Sequence, residues 1–321
     1  MKYRNLGHSG LKVSELCLGC MSYGKGRMHA WSLSQEESLP FFRRAVEHGV
    51  NFFDTADVYS EGDSEVVVGN ALREYARRDE VVIATKFYPP TGPGPNQRGA
   101  SRKHIVAAVD ASLKRLAVDY IDLYQQHAWD ETTPIEETLW ALDDLVRAGK
   151  VLYLGASNFK ARQLAKALRL QAENGWSRFI SMQVQYNLIW REEERELIPL
   201  CQDEGVGVTA WSALARGFLA GNRTADGQGA TARAQNDAMA RALYFRENDF
   251  AVQATLAEIA AEKGVAPMQV ALAWIAGRPG LTAPIIGVTK LEQLDQAVAA
   301  TELSLTDGEM RRLEEGYQAR S

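Results

Sequence analysis

Cysteine is scarce in this chain and long apolar runs are missing. Cys17, Cys20 and Cys201 are the only cysteines in 321 residues, too few and of the wrong parity for a disulfide framework. Cys17 and Cys20 stand in the apolar stretch ELCLGCM, where neither a second CxxC nor a histidine-rich partner completes a zinc site. Buried thiols and no metal are expected there. No apolar stretch approaches the roughly 18 residues of a membrane span. The start, MKYRNLGHSGLKV, lacks the apolar segment and small-residue cleavage site of a secretory signal, which predicts a cytoplasmic address. Basic excess is missing too. With 36 Lys and Arg against 41 Asp and Glu, the net charge of -5 argues against a nucleic-acid partner or an anionic membrane surface. Nor does a GxGxxG follow the first expected strand, so the phosphate turn of a doubly wound dinucleotide fold is absent.

What is present is ample core material, 46% hydrophobic and 24% charged, with a mean hydropathy of -0.26. Short β-branched and aromatic runs recur at Leu16 to Gly19, Asn51 to Asp54, Val81 to Lys86, Tyr120 to Tyr124, Val151 to Gly155, Ile180 to Gln185, Val206 to Ala210 and Ala283 to Ile286. Segments of helical period separate them. In one, Leu39, Phe42 and Val46 share a face that Gly49 ends. In another, Thr133 is the expected cap, Pro134 the first helical residue and Glu136 the closing member of a capping box, with a Leu139, Leu142, Leu145 stripe and Gly149 as the stop. Eight strands with helix-length connectors predict a (β/α)8 TIM barrel, with Tyr3 to Val13 as a hairpin on its floor. Residues 1–321 then form a single barrel domain with a tail from Leu303 to Ser321. Two loops interrupt the pattern: Tyr88 to Gly99 after strand three, and a long polar one, Gly217 to Asn248, after strand seven. The second is a candidate lid, because loops after barrel strands carry the active site.

Four ionisable residues fall at those strand ends: Asp54, Tyr59, Lys86 and His127. Singly, each reads equally as a cap or a satisfied core group. Lys86, however, directly follows an apolar run, so its ammonium points into the barrel mouth and requires a carboxylate, which Asp54 can supply. A close ammonium is expected to lower the Tyr59 phenol and let it exchange a proton, while His127 orients a carbonyl oxygen. This equipment protonates an alkoxide but holds no electrons, so a hydride donor has to come from outside.

The stretches YRNLGHSGLKVSELCLG, GVNFFDTADVYSEGDSEVVVGNAL, LKRLAVDYIDLYQQH, AGKVLYLGASNF, MQVQYNL and ALARGFLAG resemble, in order, the aldo-keto reductases. The likeness is to the branch of aryl-alcohol dehydrogenase-like enzymes and potassium-channel β subunits. It implies an NADPH-dependent reductase of aldehydes or ketones, with NADH left open, and assigns the catalytic roles to Asp54, Tyr59, Lys86 and His127. Cofactor positions follow the same resemblance. Ser157, Asn158 and Gln183 would hold the nicotinamide amide, and Trp211 would stack on its ring. Ser212, Ala213, Leu214, Arg216 and Gly217 would face the pyrophosphate, above a floor of Gly19, Cys20 and Met21. Gly287, Thr289, Lys290 and Gln293 would meet the adenosine phosphate. Gln296 and Ala297 depart from a Glu-Asn pair common in related members at the adenine contact. Tyr23, Tyr88, Trp129 and Trp190 are candidate walls for a small carbonyl substrate. Two other readings stand beside the reductase: a channel-regulatory binding protein, disfavoured because the chain begins almost at once with the hairpin, and a Schiff-base aldolase using Lys86. Oligomeric state is open.

Overall fold

The computed structural model describes residues 1–24, 31–221, 229 and 235–320. Strands β1 (Tyr3–Asn5) and β2 (Lys12–Ser14) pair as an antiparallel hairpin. Eight parallel strands follow: β3 (Cys17–Gly19), β4 (Phe52–Asp54), β5 (Val82–Phe87), β6 (Ile121–Gln126), β7 (Val151–Ser157), β8 (Phe179–Gln185), β9 (Gly207–Trp211) and β10 (Leu281–Ile286). They bond in that order and β10 returns to β3, closing a (β/α)8 barrel. Each expected run is a strand; β6 and β7 end two residues later than expected, β5 and β9 one residue later, and β10 begins two residues earlier.

Helices α1 (Gln35–Glu47), α2 (Asp63–Tyr75), α3 (Arg102–Leu116), α4 (Ile135–Arg147), α5 (Ala161–Asn174) and α6 (Leu197–Asp203) cross between successive strands. Helices α7 (Ala238–Leu243), α8 (Glu247–Lys263) and α9 (Pro267–Ala276) precede β10, and α10 (Leu291–Ala300) and α11 (Asp307–Glu315) end the chain. In α1, Ser34 and Glu37 cap each other reciprocally, with Phe41, Phe42 and Ala45 buried and Leu39 and Val46 half-buried on the flanks. The cap expected for α4 is not formed. Thr133 instead donates its hydroxyl to Asp130 at 2.8 Å, leaving Pro134 at the cap position, because Asp130 gathers the whole turn through Thr132 and Ala100 as well. The leucine stripe of α4 is buried as expected.

The hairpin seals the barrel floor. Gly7 has a left-handed φ of 59°, and a Cβ there would stand 2.5 Å from the Gly205 carbonyl and 2.6 Å from the Gly207 nitrogen. The His8 amide donates to the Gly205 carbonyl at 2.7 Å, and Leu6 and Val13 join Phe52, Val82 and Leu123 in the lower core. The opposite ends of the strands remain open for chemistry. Of the candidate lid, Gly217 to Asn248, residues 222–228 and 230–234 lie outside the described residues, and the remainder includes α7. Among the described residues no helix is long and apolar enough to cross a membrane.

Candidate active site

β4 ends on Asp54 and β5 carries Lys86, neighbours across a parallel ladder, so their side chains meet inside the barrel. Lys86 is completely buried, and its three donors are all used: Asp54 Oδ1 at 2.5 Å, the Thr55 carbonyl at 2.7 Å and the Tyr59 hydroxyl at 3.4 Å. Burial works against the ammonium, but Asp54 and Tyr59 outweigh it and hold Lys86 above the ordinary lysine range. The other Asp54 oxygen accepts from the amides of Gln183 on β8 at 2.8 Å and Gln125 on β6 at 3.2 Å. Sequence reasoning missed Gln125. Its signal was available, because a glutamine at the inward phase of a wholly buried strand, paired in register with Lys86, has to face a polar partner.

Tyr59 begins a short turn in which Ser60, Glu61 and Gly62 all have positive φ, at 50°, 59° and 92°. This tight reversal swings the phenol back over the barrel mouth, with the Lys86 ammonium 4.9 Å from its ring centre. The expected lowering of the phenol does not result. Burial raises Tyr59 above its ordinary value and Lys86 only partly offsets this, so the hydroxyl keeps its proton across the neutral range. His127, just past β6, stands edge-on to Tyr59 with ring centres 5.9 Å apart. Burial and the neighbouring Lys86 charge push it down to about 3, so it is a neutral imidazole at physiological pH. Its Nδ1 is buried without a hydrogen-bond partner among the described residues. Behind this group Asp57 donates its amide to the Lys86 carbonyl at 3.1 Å, while neither of its carboxyl oxygens has a hydrogen-bond partner among the described residues. Burial, with help from Glu65, pushes Asp57 up to about 8.

Asp54, Tyr59 and His127 open into a cleft of about 990 Å³. Its lining includes Gly19, Cys20 and Met21 at and past the end of β3, and Trp211, Ser212, Ala213, Leu214, Arg216 and Gly217 at and past the end of β9. Asn158 and Gln183 reach it from β7 and β8, and Gly287, Thr289, Lys290 and Gln293 line it past β10, with Gly287 close to Gly19. Asn158 ties this frame together: its amide donates to the His127 carbonyl and to Ser157 Oγ, each at 3.0 Å, and its oxygen accepts from Trp211 Nε1 at 3.0 Å. Ser157 and Lys86 stand behind the wall and support it. Arg216 has a carboxylate partner, Asp237, at 2.7 and 2.9 Å to its Nε.

The four aromatic wall candidates are not on the wall. Tyr23 is wholly buried between Phe41 and Phe42 and donates to the Val288 carbonyl at 3.2 Å. Trp129 packs edge-on against Phe159, and Trp190 lies under the Arg320 guanidinium. Tyr88 packs against the core at the head of its loop. Trp31, Leu33, Val58, Pro89, Met239 and Met268 supply the apolar lining in their place. Trp31, Leu33, Val58 and Pro89 lie in loops, where period and alternation give no direction to a side chain, whereas Met239 and Met268 stand on α7 and α9.

The aldo/keto reductase family model matches residues 15–318. The chain belongs to this family. It is similar to the versiconal hemiacetal acetate reductase of Aspergillus parasiticus, at 43% identity covering 99% of this chain and 97% of that one. An aldo-keto reductase of Fusarium vanettenii is 41% identical, covering 99% of this chain and 91% of its own. A provisionally named aryl-alcohol dehydrogenase of Schizosaccharomyces pombe is 40% identical over 98% of this chain and 95% of its own. An aldo-keto reductase with reductase relatives of this closeness is an oxidoreductase enzyme, and the closed barrel agrees with the family's fold.

Proposed function

We propose that this aldo-keto reductase reduces an aldehyde or ketone to the alcohol with NADPH, and that Tyr59 is the general acid. The observation that supports this most is the buried Lys86, paired with Asp54 and spending its third donor on the Tyr59 hydroxyl beside an uncharged His127. In reduction the carbonyl oxygen gains electron density and needs a proton. Tyr59 holds that proton because burial raises it, and Lys86 stabilises the phenolate left behind. His127, neutral, donates a hydrogen bond from a ring N–H without delivering net charge, which positions the oxygen between itself and Tyr59. Asp54 keeps Lys86 charged and aimed, and Gln125 and Gln183 hold Asp54.

The cleft fits a dinucleotide by its donor set. It has an amide-rich part, Asn158 and Gln183, a polar turn that starts at Ser212, and Lys290, the one lysine on its wall among the described residues, beside Thr289. Trp211 stands where a flat ring would stack, and Lys290 with the start of α10 favours an anion. Bound there, NADPH would supply the hydride. The apolar lining from Trp31, Leu33, Val58 and Pro89 suits a substrate with a hydrophobic body. The charged state of Lys86 speaks against the Schiff-base alternative, which needs a free amine. We also take residues 1–321 as one domain and its location as cytoplasmic. The test is a panel of aryl, aliphatic and dicarbonyl substrates with NADPH and NADH in parallel, followed by loss of nicotinamide absorbance. Turnover with NADPH is expected, and no turnover of any member with either nucleotide overturns the proposal.

A further inference from the structure

Arg320 lies five residues beyond α11, where a solvated side chain is the ordinary outcome, yet it is 7% exposed. Its Nε donates to the Ile189 carbonyl at 2.8 Å, one Nη to Asp249 Oδ1 at 2.5 Å and the other to the Leu243 carbonyl, while its own amide donates to Glu192 at 2.5 Å. Asp249, on α8, is fully buried. The guanidinium lies 5.3 Å from the Trp190 ring centre and 5.5 Å from that of Tyr244. This single side chain therefore grips both ends of the segment from Leu243 to Asp249.

That segment backs the cleft. The Tyr244 hydroxyl meets Ser212 Oγ at 3.1 Å and the amides of Gln185 and Asn187 at 2.9 and 3.1 Å. Asn187 also donates to the Ser212 carbonyl at 3.0 Å. Phe245 and Phe250 pack edge-on against Phe218, with centres 5.2 and 5.0 Å apart. The turn they support contains left-handed residues, Ser212 at φ 57°, Ala215 at 47° and Arg216 at 55°. Non-glycine residues keep such angles only where surrounding contacts enforce them.

We propose that Arg320 is a positioning residue for dinucleotide binding, acting through Tyr244 to hold the Ser212–Gly217 turn in the shape that lines the cofactor cleft. The inference rests on the reading that this wall carries NADPH. Its test is the NADPH dissociation constant, from quenching of tryptophan fluorescence, in the wild type, Arg320→Ala, Tyr244→Phe and the double variant. Each single change is expected to weaken NADPH about tenfold and the double no more than either alone, since both act along one route. The KM for NADPH rises with it, while kcat at saturating NADPH and the KM for the carbonyl stay within about twofold. Arg320→Lys keeps a charge beside Asp249 but cannot span both carbonyls, and it carries the test if the alanine variant does not fold; an intermediate loss of NADPH affinity is expected. Unchanged NADPH affinity in the folded Arg320 variants, or fully additive losses in the double, overturns the proposal. A wild type that turns over carbonyls with NADH but does not bind NADPH overturns the cofactor reading instead, and the role of Arg320 is then decided by the same measurements with NADH.

Discussion

Lys86 and Arg320 are both cations withdrawn from water and joined to a buried aspartate at 2.5 Å, yet their surroundings set them to different work. Lys86 has a compact head; two of its donors are satisfied by Asp54 and the Thr55 carbonyl, and the third points at a hydroxyl that opens onto the cleft. Arg320 spreads a planar fork over two carbonyls and a carboxylate and faces no open space, so its contacts bind polypeptide to polypeptide. A buried pair is therefore read by where its last donor goes. One that ends on a solvent-facing acid tunes chemistry, and one that ends on main chain fixes shape.

The sharpest break in this contrast is Tyr59→Phe, which removes the target of the third donor. Reduction is expected to fall by about 10² to 10⁴ in kcat with NADPH affinity unchanged, measured by steady-state turnover and fluorescence titration. In the wild type, kcat for reduction should show no step near pH 6.5, because His127 is already neutral well above its value of about 3. The fall should come only in the alkaline range, above the ordinary phenol value, where Tyr59 loses its proton. Next is Lys86→Met, which leaves Asp54 buried without its cation. A loss of about 3 to 5 kcal/mol is expected in denaturant unfolding, with Lys86→Met/Asp54→Asn recovering stability but not turnover. Asp57 supplies the missing third case, a buried carboxyl with no cation bonded to it. Its folded value of about 8 lies above the unfolded one, so its contribution is complete below about pH 4 and is lost as pH rises through 8. Asp57→Asn should therefore flatten the decline in thermal stability between about pH 4 and pH 8. The smallest effect belongs to Lys290, an exposed charge at the far rim: Lys290→Ala should cut the preference for NADPH over NADH only a few-fold, within the 0.2 to 1 kcal/mol or so of surface pairs.

The barrel was legible because most strand residues are buried and give short apolar runs, as in β3, β4 and the start of β5. Asp54 and Lys86 were legible because a charge directly after such a run has no other place to go. The Tyr59 shift was misjudged because a sequence shows that an ammonium is near but not how much water the phenol loses. Arg320 was invisible for a related reason. Near the end of a polar tail, AlaArgSer looks solvated, and only the approach of α8 and the β8–α6 connection makes a pocket for it. The pocket aromatics failed as a group: Tyr23 and Trp129 are ordinary core packing, while Trp31 sits in a loop that carries no periodic signal.

The glycine-tight floor, where Gly7 meets Gly205 and Gly207, turns the barrel into a vessel with one mouth. Traffic to Asp54, Tyr59 and His127 then comes from the cleft at the other end of the strands, and residues that touch neither reactant set that direction.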